Sequence, residues 1–244
     1  MRGTLEFRAA RSLLEPAPGG QATLDGFETL SPTGSGRNIP WIASMIIDRL
    51  SREHRNIERL LAILERELEV FDRGGRPDYQ VIRATISYFK VYPTIYHHPQ
   101  EDLVFAQLRI RDPAAAAMVG DLGREHHEGA ERLRRVAQAV DSALANRAIR
   151  RKDVAAVVRE YIDHERRHIM REDRDFFPAA RKALQPQDWI KIASTVTDHR
   201  DPLFSDVAEE GFDMLRAHIL RLEQEAEAER HQLSSIKRSD DEFQ

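Results

Sequence analysis

The chain has 244 residues, 41% of them hydrophobic, with 37 Lys and Arg against 41 Asp and Glu and a formal net charge of -4. That is apolar material for one sizeable domain, or a domain with extensions. The interleaved charges lack the basic stripe expected of a nucleic-acid or acidic-membrane binder. The absence of cysteine excludes disulfides, thiolate metal sites and cysteine nucleophiles.

Residues 1–37 are rich in Gly, Pro, Ser and Thr and lack sustained periodicity, which predicts a flexible N-terminal arm. The opening stretch MRGTLEFRAARSLLEPAPGG carries Glu6 and Glu15 and no continuous apolar core, so it is a poor secretion signal. No apolar run approaches the roughly 18 residues of a membrane span. A cytoplasmic protein is expected.

From Ile39 onward the pattern is helical. A first helix over 40–71 carries the stripe Ile46, Leu50, Ile57, Leu61, Leu64 and Leu68, and Gly74, Gly75 and Pro77 end it. A second, over 78–110, shows Ile82, Ile86, Phe89 and Phe105 on one side. Pro93 and Pro99 lie inside it and should bend it or open its hydrogen-bond ladder. A third follows Asp112-Pro113 to about 145, with Val119, Leu122, Ala130, Leu133, Ala137 and Val140 as its stripe. A fourth covers 152–184, with Val157, Tyr161 and Phe176 on one face. Four long helices with short connections predict an all-α, up-down four-helix bundle over 38–185. A helical extension over 186–244 should comprise a short helix at 187–196, a turn with an apolar plug at Asp201-Pro202-Leu203-Phe204, an amphipathic helix at 205–231 and a frayed end.

The histidines do not follow the usual rule of polar groups on the wet face. His54 lies between Leu50 and Ile57, His126 between Leu122 and Ala130, His168 between Tyr161 and Phe176, and His97 eight residues before Phe105. Each helix thus aims one histidine at the bundle axis. One buried histidine is ordinarily a satisfied core group; four at one level are not. Two carboxylates join them, in His97-x-x-x-Glu101 and His168-x-x-x-Glu172. Residues four apart share a helix face about 6 Å apart, so each pair can serve one metal, or the Glu can bridge two.

The pattern is also repeated. H-x-x-x-E-D-x-x-F occurs at 97–105 and 168–176, and L-x-R-E-H at 50–54 and 122–126. The bundle reads as a duplicated helix pair that gathers four imidazoles and two carboxylates. Left unpaired, such groups would each cost several kcal/mol to bury. Without thiolate, this donor set suits iron, manganese or zinc, and two bridging carboxylates favour a pair of metals. Pro99 sits between His97 and Glu101, where it would free the Ile95 carbonyl and shape the helix around the metals.

The order H, H-x-x-x-E, H, H-x-x-x-E on four helices resembles the hemerythrin-like HHE cation-binding family, bacterial type, over roughly 40–204. The stretch 78–108, the REH of the third helix, HIMREDRDFFPAA, and DWIKI followed by DPLF carry the resemblance. It implies a non-heme di-iron centre, oxo- or hydroxo- and carboxylate-bridged, with His54, His97, Glu101, His126, His168 and Glu172 as ligands. It further implies binding of dioxygen, peroxide or nitric oxide for sensing, iron handling or stress defence. Oxygen-carrying members have two histidines four apart on the third helix and an Asp on the fourth; here Ala130 and Glu172 stand in those places. Members that repair iron–sulfur clusters usually carry an extra cysteine-bearing N-terminal segment. Three alternatives stay open for the site: His127 instead of His126, His164 as a fifth histidine, and Tyr161 as a hydroxyl donor to a bound oxygen species. Two others stay open for the function, a di-iron enzyme for peroxide breakdown or iron–sulfur and nitrosative repair, and a metal-poor interaction module. His98 and Asp102 are expected beside the site. His199, His218 and His231 are read as solvated, Trp41 and Trp189 as packing anchors. The C-terminal helices could serve a protein partner or a homodimer.

Overall fold

A computed structural model describes residues 40–145, 150–196, 201–204, 212–222 and 224. The chain divides after Asn38, and all described residues lie in the second unit, Ile39–Gln244. The expected N-terminal arm, His199, His231 and the end of the tail lie outside the described residues, as does the side chain of Trp41.

Among the described residues every regular element is helical. Helix α1 is Pro40–Asp72, α2 Tyr79–Tyr92, α3 His98–Arg111, α4 Pro113–Val119, α5 Leu122–Leu144, α6 Arg151–Arg171, α7 Phe177–Ala183 and α8 Pro186–Thr195. Three aspartates start helices by accepting orphan amides of the first turn. Asp78 accepts from Gln80 and Val81 (3.0 and 3.1 Å), Asp112 from Ala115 (2.9 Å), and Asp121 from Arg124 (3.1 Å).

Two π-helical turns interrupt the long second and fourth helices, at Pro93–His97 and at Glu172–Phe176. Each ends just before an X-Pro pair, His98-Pro99 and Phe177-Pro178. Proline has no amide to give and crowds the residue before it. In both places the residue preceding proline reaches one position further back, His98 N–H to the Pro93 carbonyl and Phe177 N–H to the Glu172 carbonyl. The expected opening of the ladder near Pro99 is present, and Pro178 produces a second.

The expected third helix is two helices. Gly120 has φ +97°, a conformation open to glycine but strained for other residues, and it ends α4 before Asp121 starts α5. Helical phase therefore does not carry over from Val119. Gly129 faces inward and Ala130 outward, correcting the expected stripe.

Helix α6 packs against α1 and α5, and α2 against α1 and α5. The core falls into two apolar clusters. One contains Ile57, Leu60, Leu61, Phe89, Leu133, Val136 and Ile162; the other contains Ile46, Leu50, Val104, Leu108, Leu122, Phe176 and Trp189. Along each of the four long segments the chain passes from one cluster to the other, and at that crossing each places its histidine. Trp189 is an anchor as expected, and Asp188 beside it ties α8 to α3 through Gln107 (2.8 Å) and Arg111 (2.7 and 2.8 Å). The plug forms at 201–204, where Asp201 accepts the amides of Leu203 and Phe204 (2.9 and 3.0 Å) and Leu203 is buried. Residues 213–222 are helical. His218, expected in solvent, is buried there, 3.8 Å from Glu67, with Arg221 2.9 Å from its Nδ1.

Candidate metal centre

Between the two apolar clusters lies a polar layer. His54, His97, Glu101, His168 and Glu172 are buried, and the His126 side chain keeps 9% exposure. The arrangement is a pair of half-sites sharing two carboxylates. Glu101 Oε1 lies 3.2 Å from both His54 Nε2 and His97 Nε2, while its Oε2 lies 3.5 Å from His126 Nε2. Glu172 mirrors it, with Oε1 3.3 Å from His168 Nε2 and 3.6 Å from His126 Nε2, and Oε2 3.3 Å from His54 Nε2. Each carboxylate thus spans both histidine pairs. The pairs match each other, with ring centroids 4.9 Å apart and edge-on in both, His54 to His97 and His126 to His168. The repeated phenylalanines meet in the second apolar cluster, Phe105 edge-on to Phe176 at 5.6 Å.

The outward ring nitrogen of every histidine faces a carboxylate from a different helical segment. His97 Nδ1 is 2.7 Å from Glu53 and His168 Nδ1 is 3.1 Å from Glu125. His54 Nδ1 is 3.1 Å from Asp173, and His126 Nδ1 is 3.4 Å from Asp102. Such acceptors fix the tautomer and ring orientation and make the inner nitrogen a better donor. They account for the other repeated letters. The Glu of each R-E-H receives the histidine of the next long segment, and the Asp of each E-D receives a histidine of the opposite repeat. Of these four carboxylates the sequence places only Asp102 beside the site and assigns Glu53, Glu125 and Asp173 no role; their recurrence beside every proposed ligand was the available signal. The two halves differ one step further out. The Tyr92 hydroxyl donates to Glu53 (3.1 Å), whereas Arg171 pairs with Glu125.

Burial opposes charge on all these groups, and their mutual contacts override it. Glu101 and Asp173 are among the partners that hold His54 well above its ordinary pKa against that burial. Glu101 and Glu53 bring His97 up to about 9, and Asp102 with Glu101 and Glu172 brings His126 up to about 12. Glu172 and Glu125 raise His168 in the same way. Glu101 and Glu172 are held below the usual carboxylate range despite burial, Glu101 most strongly by His97, and Glu172 by His168 against the repulsion of Glu101. Five inward-facing atoms nevertheless lack any hydrogen-bond partner: Glu101 Oε2, both Glu172 oxygens, His126 Nε2 and His168 Nε2. Buried polar atoms are seldom left unpaired. Orphans that converge on one point, all imidazole nitrogen or carboxylate oxygen, fit a borderline-hard transition-metal cation.

All six predicted site residues come together. His126 turns inward while His127 is exposed. His164 does not join the cluster; its Nε2 faces the Glu125 carbonyl at 3.3 Å. Tyr161 is buried in the core, edge-on to Phe89 at 5.8 Å. His98 lies flat on His126, ring centroids 4.0 Å apart and 9° from parallel, and one of its ring nitrogens lies within 4.8 Å of Glu101, His126 and His168 ligand atoms. Burial and the neighbouring His126 push its pKa well down, so it packs there as a neutral ring.

Fold and site together define a cation-binding helical domain. Residues 45–180, more than half of the chain, match the hemerythrin HHE cation binding domain, and the chain belongs to this family. Among curated proteins and among solved structures no match is found. No helix among the described residues is long and apolar enough to cross a membrane.

Proposed function

We propose that this chain is a non-heme di-iron protein that binds dioxygen or a related small species, peroxide or nitric oxide, in sensing, iron handling or oxidative and nitrosative defence. One position would be held by His54 and His97, the other by His126 and His168, with Glu101 and Glu172 bridging. The observation that carries this reading is the double span of the carboxylates, each with one oxygen toward each histidine pair. In this reading residues 38–185 form an up-down four-helix bundle and 186–244 its helical extension.

When bound, the metal pair supplies reversible one-electron chemistry and, since six side chains cannot fill two six-coordinate ions, open positions for a small ligand. The chain supplies the rest. Glu53, Asp102, Glu125 and Asp173 hold the imidazoles with their inner nitrogens facing the centre. Phe177, stacked on His54 at 5.3 Å, and the two apolar clusters keep bulk water from the layer.

Anaerobic iron loading followed by metal analysis and absorption spectroscopy in air tests the reading. Two irons per chain with oxo-bridged ferric absorption are expected, and His54→Ala with His168→Ala should abolish both. Less than one metal per chain without that absorption would overturn the function; retained di-iron in the double variant would overturn the ligand assignment.

A further inference from the structure

Glu165 is a half-buried residue of α6 whose carboxylate the six-residue site leaves unused. It lies three residues before His168 and seven before Glu172 on the same helical run, so all three share one face. Its carboxylate makes no hydrogen bond or ion pair among the described residues, and the charges it senses are those of the centre: His168, Glu172, His126 and His97.

The room for it is specific to this half of the molecule. A Cβ on Gly129 of α5 would lie 2.7 Å from Glu165 Oε1 and 3.5 Å from His164 Nε2. In the duplicated pair the corresponding residues are Ile57, which is buried and fills that space, and Thr94, which is exposed. At this place the internal repeat differs by a paired exchange: a side chain is deleted on α5, and an acid stands opposite on α6.

We propose that Glu165 is a third carboxylate of the metal centre, serving the His126–His168 position alone. This rests on the di-iron reading above. Glu-x-x-His spacing on one helix is a known way for a bundle to bring both side chains to one metal. Its charge interacts with His168, Glu172, His126 and His97, but its oxygens are not among the ligand atoms gathered within 4.8 Å of one another, so Glu165 would have to swing in as a cation binds. Charge argues in the same direction. Two bound cations would carry at least four positive charges, Glu101 and Glu172 would offset two, and a further carboxylate beside them would reduce the remainder. Burial pushes the Glu165 carboxyl up to about 7, with Glu172 adding to the rise and His168 opposing it.

Stepwise anaerobic titration of the full-length protein with ferrous or cobaltous ion tests this, comparing wild type with Glu165→Gln and Glu165→Ala. Thermal melting of the metal-free variants serves as the check on folding. The expected result is an unchanged first binding step and a second step weakened about tenfold or more, the scale on which lost metal-site partners are felt. Gly129→Ala, which crowds Glu165 from the other side, should weaken the same step. An unchanged second step in both Glu165 variants, or equal weakening of both steps, would overturn the assignment. Wild-type protein that binds fewer than two ions would instead overturn the di-iron reading itself.

Discussion

Each imidazole of the site is held by a carboxylate that does not touch the centre. Glu53 illustrates what this does: it fixes His97 at 2.7 Å and is itself held by the Tyr92 hydroxyl. Glu53→Gln keeps the shape but offers a neutral amide that can bond in the wrong sense. Metal affinity should fall about 10- to 100-fold, the usual cost of such partners, with little change in helix content; unchanged affinity in a metal titration would refute the orienting role. At this scale the sequence shows much of the site. His54, His97, Glu101, His126, His168 and Glu172 stand out because a repeated motif places them among apolar residues. Glu53, Asp102, Glu125 and Asp173 are visible as repeated letters, yet their pairing is not, because periodicity says which face a residue occupies and not what crosses from another helix. Glu165 is hidden for the same reason: the room for its carboxylate depends on a glycine of α5.

Among the elements, the two π turns matter most. One ends on His97 and the other begins on Glu172, so each widened turn adjoins a proposed ligand. A turn of this kind inserts an extra residue and rotates the helix beyond it relative to the helix before it. Pro99→Ala returns an amide that can bond the Ile95 carbonyl, and the segment can relax to regular α-helix. His97 and Glu101 would then no longer meet His54 at their present angles. The expected outcome is metal affinity reduced at least tenfold at constant far-UV circular dichroism; full affinity would show that the widened turn is incidental. Both prolines are plain in the sequence. The break at Gly120 is not, since an apolar residue on each side continues the helical pattern across it, and only the positive φ separates α4 from α5.

For the molecule as a whole, the polar layer divides the apolar core, and stability must depend on what occupies it. In metal-free protein His97 and His126 have pKa values raised to about 9 and about 12 from the ordinary 6.5. A raised folded-state value means the stabilisation is complete below pH 6.5 and is lost as pH rises through the folded value. Chelator-treated protein should therefore melt at progressively lower temperature from about pH 6.5 to 9. Metal-loaded protein should not show that alkaline loss, because its ligands are already deprotonated; it should weaken in acid, where protons compete with the metal. Thermal melts of both forms across that range check the sign, and a metal-free protein that gains stability there would contradict it. At this scale an all-helical architecture and the positions of the long segments are legible in the sequence. The burial of His218 is not, because it depends on the tail returning to Glu67.

The carboxylates that clasp the histidines also bear on when the centre can exist. His54 is joined to Asp173 across 119 residues of chain and to Glu101 across 47; His168 is joined to Glu125 across 43. No contiguous half of the protein contains a complete donor set, and contacts of such separation close late because loop entropy must be overcome first. During synthesis the first helix pair emerges with two imidazoles and one carboxylate, an unfinished claw that a passing cation can leave easily. On the proposed ligand set, firm retention of metal would therefore require the last long helix to dock, and a chain that stops before Asp173 would lack the partner that holds His54.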